Sequence, residues 1–289
     1  MIPDSIRQQI QQRMNAEIED IRSVSGGSIN RAARLRLSGG RECFLKWNAT
    51  AETDMFVKEE KGLNLLASAD PDLRIPEVYG TGTTTEGTGF LIQEFVDEGN
   101  SQPGSPEQFG RALAALHQHR EEQFGLDHDN YIGRLPQSNR RHDRWIDFFI
   151  EERIKPQLQM AADAEKLGSA TVSRFASLYQ QLPDIFPDEP PGLLHGDLWG
   201  GNYFYDRKGQ ATIYDPAVYY GHREIELAFT HLFGGFSNAF YASYKESCPL
   251  EPGFPGRKDI YNLYPLLVHT NLFGGSYARR VEAIVKRFG

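Results

Sequence analysis

The residues able to do chemistry are concentrated in one short run, His195-Gly196-Asp197-Leu198-Trp199-Gly200-Gly201-Asn202. Its spacing is H-x-D-x-x-x-x-N, with Asp and Asn five apart, the spacing of a phosphotransfer catalytic loop. Moving a phosphoryl group onto a hydroxyl needs one carboxylate to accept the hydroxyl's proton and a neutral oxygen nearby to ligate Mg2+. Asp197 is the candidate base and Asn202 the candidate metal ligand. Thirteen residues past Asn202, Asp215 ends the apolar run Ala211-Thr212-Ile213-Tyr214. Tyr203 to Tyr205, Asp206 to Gly209 and Gln210 to Tyr214 read as strand, turn and strand. A tight hairpin of that kind would carry Asp215 back beside Asn202, so that both reach one metal. A Gly- and Asp-rich surface turn would explain His-Gly-Asp alone, but not the added Asn and the hairpin ending in Asp. His195 reads as a hydrogen-bonder that orients the loop, and Trp199 as either a core anchor or a wall on which substrate stacks.

The first hundred residues supply matching parts. Gly26-Gly27-Ser28 would let backbone amides approach phosphates, although it lacks the full G-x-G-x-x-G pattern. Lys46 stands in an otherwise apolar strand, where a buried ammonium is costly without a partner. The next helix offers Glu59, three after Phe56 and four before Leu63, hence on the inward side; Glu60 is the competitor. A strand Lys paired to a helix Glu positions the α- and β-phosphates of ATP. Glu94-Phe95-Val96 ends the last strand of this region, where backbone groups would meet adenine.

These residues must be positioned by two kinds of structure. Ile6, Ile10, Met14, Ile18 and Ile21 recur at helical spacing after Pro3, predicting an opening helix. Arg34 to Leu37 and Glu42 to Trp47 predict a hairpin, Met55 to Leu66 a helix, and Val78 to Gly80 and Phe90 to Val96 two more strands. Ser105-Pro106-Glu107-Gln108 reads as a capping box opening a helix. Helical patterns dominate thereafter, at Trp145 to Ala161, Ala170 to Gln181, Glu224 to Phe233 and twice more near the C-terminus. The expected architecture is α+β and bilobal: a β-rich ATP-binding lobe over residues 1–96 and a mainly helical lobe over 97–289 carrying the catalytic loop.

Composition narrows the function classes. The 289 residues are 39% hydrophobic and 24% charged, ordinary for a globular protein, with a net charge of −8. That acidity argues against a nucleic-acid surface. No run approaches the roughly 18 apolar residues of a membrane span, and Met1-Ile2-Pro3-Asp4 does not open a secretory signal, so the expected location is cytoplasmic. Two cysteines, Cys43 and Cys248, are too few for a disulfide framework or a Cys-based zinc site.

With these residues in hand, the chain resembles the fructosamine kinase (ketosamine 3-kinase) family, within the protein-kinase-like fold of the aminoglycoside phosphotransferases. The resemblance runs nearly end to end: Gly26 to Asn30, Met55-Phe56 with Glu59 and Gly62-Leu63, Asp129 to Gly133 with Pro136-Gln137 and Asn139, His195 to Asn202, Gly221 with Glu224 to Ala228, and Asn271 to Tyr277. It implies ATP- and Mg2+-dependent phosphorylation of the sugar 3-hydroxyl of a small-molecule or protein-bound ketosamine, after which the adduct decomposes and releases the amine. It assigns Asp197 as base, Asn202 and Asp215 as metal ligands, Lys46 and Glu59 as the phosphate-positioning pair, and Glu94 to Val96 as the adenine edge. Asn130, Tyr131, Trp199 and Tyr277 are candidate substrate contacts or, equally, lobe packing and loop caps. Ser28 stands where many relatives carry Cys, so their redox-coupled dimerisation does not carry over. The alternatives are a related kinase for aminoglycosides, choline or another alcohol, and a nucleotide-binding pseudokinase. A protein Ser/Thr kinase is disfavoured by the absence of H-R-D and A-P-E.

Overall fold

A computed structural model of the chain describes residues 2–24, 30–50, 52, 54–69 and 72–288. Helix α1 (Asp4–Met14) leads into strands β1 (Ile18–Val24), β2 (Arg31–Leu37) and β3 (Glu42–Asn48), helix α2 (Met55–Ser68), and strands β4 (Val78–Thr83) and β5 (Gly89–Glu94). The strands form one antiparallel sheet ordered β1-β2-β3-β5-β4. Alternation along the strands gives the sheet two faces. Leu35, Cys43, Leu45, Trp47, Phe90 and Ile92 pack with Ile6 and Ile10 of α1, whereas Leu91 packs with Phe56 and Leu63 of α2. The second face is the one that carries Lys46, directly opposite Leu91.

The opening helix is shorter than its hydrophobic spacing predicts. It ends at Met14, followed by Asn15 in the left-handed conformation at φ 47°. Ile18 and Ile21 lie in β1, where the register with β2 shifts between Ile18 and Asp20. The extra residue of that irregularity turns two isoleucines three apart toward one core, so a bulged strand imitates helical periodicity.

The rest of the chain is mainly helical. Helix α3 (Ser105–Leu116) is followed by a short pair, β6 (Asn130–Ile132) with β7 (Leu135–Gln137). Helix α4 (Trp145–Phe148) continues through a π-helical turn, Phe149–Ile154, into α5 (Lys155–Asp163), and α6 (Ser169–Ile185) follows. Strand β8 (Gly192–Leu194) pairs with β11 (Tyr219–Gly221), and between them β9 (Tyr203–Tyr205) pairs with β10 (Ala211–Ile213). Four helices follow α7 (Arg223–Phe233), not the expected two: α8 (Asn238–Ser247), α9 (Phe254–Tyr261), α10 (Leu263–Phe273) and α11 (Ser276–Val285). Among the described residues, no helix is long and apolar enough to cross a membrane.

The capping box expected at Ser105 does not form. Gly104, at φ 90°, precedes the helix, and the Ser105 hydroxyl instead donates to the Gly209 carbonyl at 2.5 Å and accepts from the Gln102 amide at 3.1 Å. A tertiary bond to the β9–β10 turn has displaced the local one. The same turn is stitched to the sheet-bearing part of the chain. The Gly99 amide donates to the Tyr205 carbonyl at 2.7 Å, and Arg74 exchanges backbone bonds with Ala211 (2.8 Å) and Ile213 (3.1 Å) while its guanidinium pairs with Glu94. The strand leading to Asp215 is thereby tied directly to the sheet that carries Lys46.

Ile10 is fully buried between α1 and the sheet. Ile10→Ala is expected to destabilise the protein by about 2–5 kcal/mol through lost burial and the cavity left behind, read as a lowered urea-unfolding midpoint.

Candidate active site

The site begins with a buried charge. On β3 the inward neighbours Cys43, Leu45 and Trp47 face α1, so the intervening Lys46 is turned to the opposite face, where it is only 5% exposed. Its ammonium donates to Glu59 Oε1 at 2.8 Å and to Asp215 Oδ1 at 2.7 Å. Burial works to discharge Lys46, but the carboxylates of Asp215 and Glu59 outweigh it and hold the ammonium above its ordinary range. Glu60 is not the partner; its Oε2 accepts from the Thr81 hydroxyl at 2.8 Å.

The second group is the loop between β8 and β9. The Asn202 amide nitrogen donates to the Asp197 carbonyl at 2.8 Å and to Asp197 Oδ2 at 3.0 Å. The β9–β10 register sets Tyr203 opposite Ile213, and the next bond outward joins the Tyr214 amide to the Asn202 carbonyl at 3.2 Å. The hairpin therefore delivers Asp215 beside Asn202, as the spacing predicts. Asp215 then takes φ 56°, a left-handed backbone that Asp tolerates better than most residues, and its carboxylate reaches Lys46. Asp197 is pushed well above the usual carboxylate range by burial and by the nearby Asp215 and Glu226 charges, against the opposing Asn202 bond.

The loop's shape is imposed from behind, by residues whose part sequence reasoning missed. Glu226 on α7 is 3% exposed, and its two oxygens accept from the amides of His195 (3.2 Å) and Gly196 (2.7 Å). His117, at the end of α3, lies with Nε2 at 2.9 Å from the same carboxylate and Nδ1 at 2.7 Å from the Tyr244 hydroxyl. Burial works to raise the Glu226 carboxyl, but the bonds from His117 and Gly196 prevail and hold it below its ordinary value. Gly196 sits at φ 83°, and a Cβ there would lie 2.0 Å from the Ala217 carbonyl oxygen, so only glycine fits. His195 accepts from the Asp197 amide at Nδ1 (3.3 Å), which leaves Nε2 to donate to the Tyr214 carbonyl (2.9 Å). Burial lowers its proton affinity, so this neutral tautomer is the stable one. The signal for this anchor was present in the sequence: Glu224 and Glu226 interrupt the apolar pattern of α7, and acids so placed must be paired.

The remaining candidates are distributed unevenly. Gly26, Gly27 and Ser28 lie outside the described residues. Glu94 is held by Arg74, and the Arg34 guanidinium sits 4.3 Å from the Phe95 ring centre, while Val96 follows on the connector. Asn130 is 5% exposed, donates to the Val218 carbonyl at 2.9 Å and accepts from Gln137 (2.7 Å) and Asn139 (2.9 Å). These bonds pack the β6–β7 pair against the segment that follows Asp215, the packing alternative expected for it. Tyr131 donates to Asp54 Oδ1 at 2.6 Å, joining that pair to the start of α2. Trp199 is 37% exposed and so is not a core anchor; its ring stands edge-on to Phe233 at 5.9 Å. Tyr277 packs on Phe233 (6.3 Å) and His269 (5.0 Å), extending the same aromatic surface. A cavity of about 20 Å³ bordered by Asp197, Tyr219, Glu226, Phe229, Tyr264 and His269 has room for one water-sized molecule.

Among the described residues no cluster of three or more His, Cys, Asp or Glu could cage a metal. Asn202 uses its nitrogen on Asp197 and Asp215 uses Oδ1 on Lys46. One amide oxygen and one carboxylate suit Mg2+, which keeps waters and shares substrate phosphates instead of filling an all-protein cage.

A five-stranded sheet bearing a paired lysine, joined to a helical part bearing an Asp–Asn loop and a returning Asp, defines a protein-kinase-like phosphotransferase acting on a hydroxyl group. The family model for fructosamine kinase matches residues 1–288, and the chain belongs to that family. It is 40% identical over 286 residues to the probable ketoamine kinase of Synechocystis sp. strain PCC 6803, covering 98% of this chain and 95% of the relative. It is 36% identical over 290 residues to the chloroplastic protein-ribulosamine 3-kinase of Arabidopsis thaliana, covering 99% and 87%. The crystal structure of a candidate fructosamine-3-kinase from Thermobifida fusca superposes at TM-score 0.88 with 32% identity, covering 99% of this chain and 98% of that one. The architecture extends to aminoglycoside phosphotransferase APH(4)-Ia at TM-score 0.64 and 20% identity, a likeness of fold alone.

Glu226→Gln is expected to cost about 1–3 kcal/mol of stability by weakening the bonds behind the loop. Because the Glu226 carboxyl is held below its ordinary value, its contribution is present above the unfolded value of about 4.3 and is lost as pH falls through the lower folded value. Urea titrations should therefore show the gap between wild type and variant at pH 7 closing in strong acid.

Proposed function

We propose that the chain transfers the γ-phosphoryl group of ATP to the 3-hydroxyl of a ketosamine, free or protein-bound, and so initiates deglycation. The observation that carries this reading is the convergence of Glu59 and Asp215 on the buried Lys46 ammonium, with the Asp197–Asn202 loop delivered beside Asp215 by the same hairpin.

In this reading the Lys46 ammonium, held in place by Glu59, meets the α- and β-phosphates. The amides of the segment containing Gly26, Gly27 and Ser28 cover them, and the backbone of Glu94 to Val96 takes the adenine edge. The Asp215 carboxylate oxygen not used on Lys46 and the Asn202 side-chain oxygen would hold Mg2+. Mg2+ supplies charge neutralisation on the transferred phosphate. Asp197, oriented by the Asn202 amide, accepts the proton of the 3-hydroxyl as oxygen attacks phosphorus. Its proton affinity is lifted by burial, which makes it a stronger base. Trp199 and Tyr277 contact the sugar or the amine-bearing part of the substrate. Phosphate placed on the 3-oxygen becomes a leaving group next to the C2 carbonyl; the adduct then decomposes and the free amine returns.

The test is Mg2+-dependent ATP consumption against ribulosyl-lysine, fructosyl-lysine, an aminoglycoside and choline. Turnover is expected on a ketosamine, and Asp197→Asn is expected to bind ATP normally while losing about 10²–10⁴ in kcat. Turnover confined to another alcohol would replace the substrate, and ATP binding without turnover on any would replace the kinase reading with that of a nucleotide-binding scaffold. Since Asp197 must be ionised to accept the proton, the acid limb of kcat/KM should fall above the ordinary carboxylate range. Trp199→Ala should raise the acceptor's KM about three- to tenfold and leave the KM for ATP unchanged, the range expected for one lost aromatic contact.

A further inference from the structure

Gly201 precedes Asn202 in a tight turn, closed by the Asn202 amide donating to the Trp199 carbonyl at 2.9 Å. Gly196 of the same loop needs glycine for its positive φ, but neither Gly200 nor Gly201 lies in the left-handed region. At these two positions φ does not demand glycine, so the demand must come from what packs against them. For Gly200 it is backbone: a Cβ there would lie 3.1 Å from the Gly234 carbonyl oxygen, just past the end of α7. For Gly201 it is the indole. A Cβ there would lie 2.3, 2.4 and 2.8 Å from Cη2, Cζ2 and Cζ3 of Trp199, and these are its nearest atoms. The six-membered part of the indole therefore lies over the Gly201 Cα, in space that any side chain would fill. Phe233, the last residue of α7, meets the same ring edge-on at 5.9 Å. Two helical turns earlier α7 carries Glu226, which holds the front of the loop.

We propose that Gly201 is a positioning residue, which seats the Trp199 ring over the catalytic loop as a preformed surface for the acceptor. The inference rests on the reading that Trp199 contacts the acceptor. A tryptophan standing free on a loop would sample several rotamers, and binding would have to select one of them. With the Gly201 Cα under the ring and Phe233 at its edge, that selection is made on folding. A methyl at 201 closes the seat. The ring is the free end of a side chain, so it can rotate away at little cost to stability, but the acceptor then loses its prepared contact.

The experiment compares wild type, Gly201→Ala, Trp199→Ala and the double variant, with ribulosyl-lysine and ATP as substrates. Trp47 and Trp145 are 5% and 4% exposed, so acrylamide quenching of tryptophan emission reports mainly on Trp199, with no substrate present. Gly201→Ala is expected to be quenched more readily than wild type. It should raise the acceptor KM about three- to tenfold, as loss of one aromatic contact does, and leave the KM for ATP unchanged. In the Trp199→Ala background the same substitution should change the acceptor KM by less than about twofold, because the ring it displaces is gone. Unchanged quenching together with an unchanged acceptor KM in Gly201→Ala would overturn the assignment. So would a KM raised for both substrates, since a methyl that distorted the turn would disturb Asn202 as well. If Gly201→Ala does not fold, a folded double variant supports the seat and an unfolded one overturns it. An unchanged acceptor KM in Trp199→Ala would instead remove the reading of Trp199 as an acceptor contact, and this inference with it.

Discussion

A single ammonium group organises this molecule. Lys46 is buried on the sheet, and a buried cation persists only where acceptors compensate its lost hydration. Its two partners come from different parts of the chain: Glu59 from α2, thirteen residues on, and Asp215 from the end of β10, 169 residues on. Meeting that requirement sets the rotation of α2 about its axis, with Glu59 inward and Glu60 turned to Thr81. It also sets how closely the helical part of the chain approaches the sheet. The backbone bonds of Arg74 and Gly99 to the β9–β10 hairpin hold the same approach from the other side. The ion pair and the stitched hairpin are one construction.

The loop that faces this ion pair is built on a second buried charge, of opposite sign. Glu226 holds consecutive amides of His195 and Gly196, His117 and Tyr244 satisfy the far side, and His195 in turn fixes the carbonyl of Tyr214, next to Asp215. An ionised carboxylate in that position is stable only while all its donors are in place, so the loop backbone is rigid where Asp197 is presented. The Asp197 side chain is in turn oriented by its bond from Asn202. Trp199, Phe233, His269 and Tyr277 form a continuous aromatic surface, and His269 also lines the small cavity at Asp197.

Much of the site was legible in the sequence because phosphotransfer chemistry demands particular residue types at short, fixed spacings. Asp197 and Asn202 belong to one loop, and the hairpin that returns Asp215 is local, so thirteen residues sufficed to foresee their proximity. The Glu59 assignment also followed from local periodicity, since Phe56 and Leu63 define the inward face of α2. Local reasoning failed where a long-range contact displaced a local one. Ser105 has the sequence of a capping residue but spends its hydroxyl on Gly209, and Ile18 and Ile21 repeat like a helix because a strand irregularity puts them on one face. The two readings of Asn130 stayed level in the sequence because no short-range feature shows that Gln137, Asn139 and Val218 surround its amide.

What the sequence determined by itself is the set of side chains and their proximity: an Asp and an Asn five apart in one loop, a returning carboxylate, and a strand lysine that no apolar strand would tolerate unpaired. These follow from side-chain types and from distances of a few residues along the chain, which the backbone's limited conformations translate reliably into distances in space. Only the tertiary structure decided that Glu226, His117 and Tyr244 support the loop and that Trp199 is exposed. Each depends on which surfaces meet after α7, α3 and the sheet have packed. That outcome is set by burial summed over the whole core, and no window of sequence contains it.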